Sequence, residues 1–259
     1  MRRPTGDERN AAEIEYWNGP GGERWLNRQQ AQDALLAPVA DVLLDRAAAH
    51  PGEIVLDIGC GCGSTSIALA QRVAPGGHVL GVDVSAPLLD RARQLAPQAL
   101  PLSFVLADAT VHRFRTGLRA GARLVFACWR APRENPWLML PLQEAYRHVP
   151  RLPEVGPEEP GPFSFADPHR VRGILERAGF GAIGLEPFDL SFDLSLGRGL
   201  DAALDTALNM GPASRALDGQ PASLRAAAAE SIRAALARRQ VGETVPLPGA
   251  LWIVTATTP

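Results

Sequence analysis

A glycine-rich turn follows a short apolar run near residue 60, and an aspartate stands between them. The apolar run is Ile54–Leu56, the acid is Asp57, and the turn is the GCGCG segment at 59–63. The run is typical of a parallel strand covered on both faces. Alternating glycines permit positive φ angles and let the backbone approach a ligand closely. Because 64–73 has helical spacing, its first N–H groups face whatever binds at the turn, which predicts a nucleotide-type cofactor site.

Two further aspartates end the next two predicted strands. Asp83 and Asp108 each follow an apolar run, and Ser85 is the better cap for the helix after Asp83. Ligands of open parallel sheets bind outside the carboxyl ends of the strands, so Asp57, Asp83 and Asp108 are expected along one edge. Asp83 comes about 20 residues after Gly63, where such sheets place an acid that accepts hydrogen bonds from ribose hydroxyls.

These motifs resemble the class I S-adenosylmethionine (SAM) dependent methyltransferases, in particular the small-molecule branch with the ubiquinone and menaquinone biosynthesis methyltransferases. The segments that carry the resemblance are 55–63 (VLDIGCGCG), 79–85 (VLGVDVS) and 104–109 (FVLADA). Similarity continues through 121–129, 134–137, 162–167 and 251–255. The resemblance implies an α/β fold, with a Rossmann-like, mostly parallel sheet and a helical cap.

The resemblance also implies which residues bind SAM. They are Asp57, Gly59, Cys60, Gly61, Gly63, Asp83, Val84, Asp108 and Ala109. In the family, Asp57 and the glycines correspond to positions that hold the methionine end, and Asp83 to the position that takes the ribose hydroxyls. Asp108 and the backbone of Ala109 would address the adenine. Methyl transfer from a sulfonium gains mostly from alignment and desolvation, so we assign no catalytic residue.

A nicotinamide dinucleotide is the competing cofactor. Its turn reads G-x-G-x-x-G, but the last position is Ser64 when counted from Gly59 and Ser66 when counted from Gly61. Asp57 before the turn suits a ligand with an ammonium group and would repel a pyrophosphate. The motif therefore favours SAM, and an NAD(P) oxidoreductase is kept as an alternative.

The region between Asp108 and Arg123 is shorter than the resemblance implies. The family has a fourth strand and most of a helix there, so about one βα unit, on the order of 25–30 residues, is absent after Phe114. We expect a sheet that lacks this strand, and Val125 would then neighbour Val55 if the two flanking strands pair. Three hypotheses follow: an active methyltransferase with a shortened core, a deletion variant or mis-predicted gene product, or a protein that binds SAM without efficient transfer.

The chain divides into three predicted regions. These are N-terminal helices or a lid at 1–50, a SAM-binding core at 51–130, and a helical substrate cap with the last two strands at 131–259. Candidate lid residues are Tyr16, Trp17 and Trp25, with packing of the terminal helix as the alternative. Candidate lining residues for an apolar or aromatic acceptor, each with a core role as the alternative, are Trp137, Met139, Phe163, Phe165 and Met210. His112 and His169 are the histidines nearest the place of a base, with surface or capping roles as the alternative.

Composition excludes several other classes. The 259-residue chain has no lysine, since all 26 basic residues are arginine, which removes Schiff-base enzymes and P-loops. A net charge of −2 makes no electrostatic case for nucleic acid. The spacing of Cys60 and Cys62 is too short for a zinc pair, so no metal is expected. The N-terminus lacks an apolar leader and no run is long enough to span a bilayer, which predicts a cytoplasmic protein.

Overall fold

A computed structural model of the chain describes residues 10–111, 114–153, 156, 159 and 161–259. The chain folds into two compact units, which are treated separately below. The first is Met1–Arg123 with Thr258, and the second is Leu124–Thr257 with Pro259. The predicted division at 1–50, 51–130 and 131–259 stays a prediction, and the units meet in sequence at Arg123.

Three helices open the first unit. They are α1 (Ala11–Trp17), α2 (Pro20–Asn27) and α3 (Gln29–Ala47). A turn at 18–19 separates α1 from α2. Along most of its length, α3 buries an apolar stripe that includes Leu35, Val39 and Leu44.

A parallel three-stranded sheet follows, which confirms the α/β fold class. Its strands are β1 (Ile54–Ile58), β2 (His78–Asp83) and β3 (Leu102–Leu106), in the order β1-β2-β3. The connecting helices are α4 (Ser64–Val73) and α5 (Ala86–Leu95), at the predicted positions. Ser85 caps α5 as expected, because its side chain accepts a hydrogen bond from the Leu88 N–H.

The core of this unit lies on one face of the sheet, under α3 and α4. Leu44 of α3, Leu69 and Val73 of α4 and Val79 of β2 form its centre, and Val55 of β1 packs against them. Alternate residues of a strand point to opposite faces, so Ile54, Leu56 and Ile58 lie on the other face.

The expectation that β1 is covered on both faces was wrong, because residues on this other face are exposed. Ile54 is 68% exposed and Ile58 is 47% exposed. Among the residues that the structure describes, β1 has β2 as its single sheet neighbour. In the same described ranges, the chain between β3 and Arg123 forms 3₁₀ turns at Ala109–Val111 and Phe114–Gly117 and no strand. β1 is therefore an edge strand with one covered face.

The second sheet has the order β4-β6-β5. Its strands are β4 (Arg123–Trp129), β5 (Gly181–Asp193) and β6 (Pro246–Thr257), and β5 pairs antiparallel with β6. Val125 thus belongs to a strand beside β6, and the sheet order does not pair it with Val55. The strand that was predicted to follow the shortened region exists, but its neighbour is the last strand.

Five helices accompany this sheet: α6 (Pro136–Ala145), α7 (Pro168–Arg177), α8 (Gly199–Asn209), α9 (Gly211–Leu217) and α10 (Ala222–Ala237). Asp167 caps α7 by accepting from the His169 N–H at 2.9 Å. Trp137 has the core role, because it is 4% exposed and its ring centroid lies 4.3 Å from that of Phe192. Phe165 is partly exposed. No helix in the described ranges is long and apolar enough to cross a membrane.

The one-sided burial of β1 predicts an uneven response to substitution. Ile54→Thr should change the free energy of unfolding by no more than about 0.5 kcal/mol, because the side chain is mostly in water. Leu69→Ala, on the covered face, should cost about 2–5 kcal/mol through lost burial and a cavity. Urea unfolding of both variants measures the difference. A large cost for Ile54→Thr would mean that this face is covered in solution.

Candidate functional site

The glycine-rich turn is fastened to the carboxyl end of β2. The Gly59 N–H donates to the Val82 carbonyl at 2.8 Å, and the Cys60 N–H donates to the same oxygen at 3.2 Å. The Gly61 N–H donates to Oδ2 of Asp83 at 2.8 Å. Three consecutive amides of the turn are thus bound to two neighbouring residues of one strand. The position of the turn is set by β2 as well as by the strand that precedes it.

The glycines of the turn serve two different purposes. Gly59, Gly61 and Gly63 have φ angles of 74°, 53° and 84°, a region that side chains disfavour. A Cβ on Gly59 or Gly61 would have no atom within 4 Å, so open space lies over both. A Cβ on Gly63 would lie 3.0 Å from the Phe104 ring and 3.1 Å from Cβ of Ala92. Gly63 is therefore required by packing at the start of α4, while Gly59 and Gly61 leave room for a ligand.

Asp57 connects the end of β1 to the first turn of α4. Its Oδ2 accepts hydrogen bonds from Thr65 Oγ1 at 2.8 Å and from Ser66 Oγ at 2.6 Å. Ser66 is fully buried. Sequence reasoning missed these two hydroxyl partners, although the STS run at 64–66 was visible as a signal. Asp57 therefore positions the free N–H groups at the start of α4.

Asp83 binds both the glycine-rich turn and the loop after β2. Its Oδ1 accepts from the Ser85 N–H at 2.8 Å, and its Oδ2 accepts from Gly61. Burial raises the pKa of Asp83, the amides of Ser85 and Gly61 oppose that rise, and the charge of Asp57 adds to it. A carboxylate has about four lone-pair positions, so both oxygens keep capacity for another donor.

Asp108 is buried at the end of β3, with 2% of its surface exposed. Its Oδ1 accepts from Asn10 Nδ2 at 3.0 Å, from the Thr110 N–H at 2.9 Å and from Thr110 Oγ1 at 2.8 Å. Ala109 opens the 3₁₀ turn that follows. The contact with Asn10 brings the start of the chain to the same edge of the sheet, which sequence reasoning did not foresee.

The turn between α1 and α2 is attached to the loop after β2. Asn18 donates from Nδ2 to the Val84 carbonyl at 2.9 Å and accepts from the Ala86 N–H at 3.0 Å. Ser85 Oγ donates to the Trp17 carbonyl at 2.7 Å. The N-terminal helices therefore lie against the carboxyl edge, where a lid would be placed. The lid itself stays a prediction.

The aromatic residues of these helices pack on one another. The ring centroids of Tyr16 and Trp17 are 5.3 Å apart, and those of Trp17 and Trp25 are 5.8 Å apart, both edge to face. Arg24 also donates to the Tyr16 hydroxyl. These contacts favour the packing alternative for the three aromatic residues.

The two cysteines of the turn are buried free thiols. Burial raises the pKa of the Cys60 thiol well above its ordinary range and that of Cys62 to about 11. Both are therefore protonated near neutral pH, which removes them as nucleophiles. Within the described ranges, no three or more His, Cys, Asp or Glu side chains cluster as metal ligands would. His112 lies outside the described residues.

The sequence and the fold of the chain are similar to those of known proteins. Residues 55–149 match the family described as "Methyltransferase domain". The match covers 95 of the 259 residues and includes the glycine-rich turn, Asp57, Asp83 and Asp108. The structure of Haemonchus contortus phosphoethanolamine N-methyltransferase 2 in complex with SAM has the same fold, with a TM-score of 0.50 and 12% identity over 100% of this chain and 61% of that chain.

Two curated relatives match this chain over short segments. Nocamycin O-methyltransferase of Saccharothrix syringae is 46% identical over 52 residues, which is 20% of this chain and 19% of that protein. The 2-phytyl-1,4-naphtoquinone methyltransferase of Trichormus variabilis is 47% identical over 53 residues, 20% of this chain and 23% of that protein. The chain thus spans about a fifth of the length of these relatives.

The methyltransferase domain presents groups that fit SAM. Gly59 and Gly61 leave space over the turn, and the N-terminal amides of α4 face the same edge. Asp83 retains acceptor capacity for ribose hydroxyls, while a pyrophosphate at the turn would meet the carboxylates of Asp57 and Asp83. The assignment of individual residues to parts of SAM stays a prediction.

The bonds of Asp57 predict a local stability effect. Ser66→Ala should lower the free energy of unfolding by about 1–3 kcal/mol, because a fully buried hydrogen bond to a carboxylate is lost. The matched control is Ser64→Ala, an exposed position in the same turn, which should stay within about 0.5 kcal/mol. Chemical denaturation measures both. Equal values for the two variants would contradict the role given to Asp57.

Proposed function

We propose that this chain transfers a methyl group from SAM to a small acceptor that is apolar or aromatic. One observation carries the proposal: the turn is clamped to β2 by Val82 and Asp83 while the space over Gly59 and Gly61 stays open. A turn held in this way presents a rigid backbone surface to a cofactor. The methyltransferase domain match at 55–149 supports SAM as that cofactor.

Each of these residues would bind a different part of SAM. The turn and the N-terminal amides of α4, oriented by Asp57, would receive the methionine end. Asp83 would accept from the ribose hydroxyls, and Asp108 with Ala109 would address the adenine, next to Val84. When bound, SAM supplies an electrophilic methyl group on a sulfonium sulfur. The chain's contribution is then to align the acceptor and exclude water, for which no dedicated acid or base is required.

The acceptor class is inferred from two observations. Within the second unit, apolar surface is supplied by four residues that are partly buried or exposed: Met139, Phe163, Phe165 and Met210. One relative is named for a quinone with a phytyl chain, which is an apolar acceptor. Both favour an apolar or aromatic metabolite over a charged one.

A second candidate function is SAM binding with impaired transfer. It is favoured by the missing strand, since the described residues between β3 and Arg123 form 3₁₀ turns and leave β1 as an edge. An edge strand costs stability and removes part of the scaffold beside the cofactor. An NAD(P) oxidoreductase is the third candidate, and the same experiment tests it.

Calorimetric titration with S-adenosylhomocysteine (SAH), SAM and NADH separates these candidates. We expect binding of SAH and SAM and none of NADH. Transfer from methyl-labelled SAM to a panel of naphthoquinols and phenols should then give labelled product. SAM binding without turnover on any acceptor would support SAM binding with impaired transfer. NADH binding without SAM binding would support an NAD(P) oxidoreductase.

The raised pKa of Asp83 predicts a pH dependence of cofactor affinity. Ribose hydroxyls donate to the charged carboxylate, so SAH binding should weaken as the pH falls through the pKa of Asp83. Because burial raises that pKa, the loss should begin above the ordinary value of about 3.9. The stability of the ligand-free protein depends on pH with the opposite sign. Because the pKa of Asp83 is raised in the folded state, its contribution to the free energy of unfolding is lost as the pH rises.

The matched variants are Asp83→Asn and Asp90→Asn, the latter an exposed acid on α5. Asp83→Asn should weaken SAH binding at neutral pH by about tenfold or more, because charge-assisted hydrogen bonds are lost. It should also abolish the decrease of SAH affinity at acidic pH. Asp90→Asn should behave as the wild type. Titration calorimetry between mildly acidic and neutral pH is the measurement. An unchanged affinity for Asp83→Asn would remove Asp83 from the site.

A further inference from the structure

Helices α3 and α4 contact each other at their carboxyl ends. There, Arg72 of α4 donates to the Leu44 carbonyl at 2.5 Å and pairs with Asp45 at 3.2 Å, both on α3. Leu44 also shares a core cluster with Leu69 and Val73 of α4. The other end of α3 follows the short helix α2, which begins at the α1–α2 turn that Asn18 and Ser85 join to the loop after β2.

The first turn of α3 comes near the glycine-rich turn, which lies beside the same loop. A helix rises about 1.5 Å per residue, so the eight residues of α2 place the start of α3 within about 12 Å of the α1–α2 turn. The Gly61 amide of the glycine-rich turn is bound to Asp83, directly before that loop. The charge of Asp33 also contributes to the raised pKa of the Cys62 thiol, which agrees with this placement.

The first turn of α3 is polar where its other turns are apolar. Gln32 is 5% exposed, and the residues four and seven positions later, on the same face, are Leu36 and Val39. Gln29 is also buried, and its Nε2 donates to Oδ2 of Asp33. If the first turn of α3 only packed against α4, apolar residues would be expected there, as in the later turns of the helix.

Gln32 has a buried acceptor without a donor. Among the residues that the structure describes, no group donates to its Oε1. Buried polar atoms are nearly always hydrogen-bonded, and an unpaired one costs free energy. A donor that reaches Gln32 from the side of the glycine-rich turn would satisfy this oxygen. Within the proposed function, the amino-acid end of SAM comes to this turn and carries an ammonium group with three N–H donors.

We propose that Gln32 Oε1 accepts a hydrogen bond from the ammonium group of SAM, beside Asp33, which is held in place by Gln29. This inference rests on the proposed function and adds a residue outside the glycine motif to the binding site. It explains a buried polar turn at the one end of α3 that meets the cofactor site. Gln32 would bind the amino-acid part of the cofactor, while Asp83 and Asp108 would bind the adenosine part.

The test compares two ligands that differ only at that end. 5′-Methylthioadenosine keeps the thioether nucleoside of SAH but lacks the amino acid. Gln32→Leu should weaken SAH binding on the order of tenfold or more, the effect of losing a hydrogen bond to a charged group, and leave methylthioadenosine binding unchanged. The matched control is Gln30→Leu, an exposed position in the same helical turn, which should change neither. Affinities are measured by calorimetry, directly or in competition with SAH.

Thermal unfolding without ligand is the second readout. Gln32→Leu removes an unpaired buried acceptor, so the Tm of the ligand-free protein should stay the same or rise, while the shift produced by SAH should shrink. An unchanged SAH affinity would overturn the inference, and so would an equal loss for both ligands, which indicates a structural role. A wild-type protein that binds neither ligand would overturn the proposed function itself.

Discussion

The hydrogen bond from the Gly61 amide to the Asp83 carboxylate is the interaction on which the site depends. With the two bonds to the Val82 carbonyl, it fixes the turn to the neighbouring strand. The same short segment after β2 also receives the N-terminal helices, through Ser85 and Trp17. One strand end therefore positions the glycine-rich turn, the start of α4 and the α1–α2 turn together. Cofactor binding at Asp83 would be coupled to all three.

The first unit contains every residue that is predicted to bind SAM, and its strand β1 is covered on one face. The covered face holds the core formed with α3 and α4, while Ile54 and Ile58 of β1 are exposed on the other. The glycine-rich turn, the hydrogen bonds that fix it to β2 and the three acids all lie within this unit.

Sequence reasoning predicted the elements of the fold well, because hydrophobic periodicity, glycines and caps are local signals. It placed β1, α4, β2 and α5 and found Ser85 as a cap. It did not predict α9, nor that Asp57 binds the hydroxyls of Thr65 and Ser66 and that Gly63 is set by the Phe104 ring. It also missed Gln32 and the exposure of Ile54. Each of these depends on which segments pack together, and periodicity along one segment carries no information about that.

The central claim is that the edge formed by the turn, Asp83 and the first turn of α3 is a SAM site. A crystal structure of the chain with SAH tests it most directly. We expect the ribose hydroxyls within hydrogen-bond distance of Asp83, and the amino-acid end between Gly59–Gly61 and Gln32. SAH bound at another place, or bound here with its ribose away from Asp83, would contradict this account.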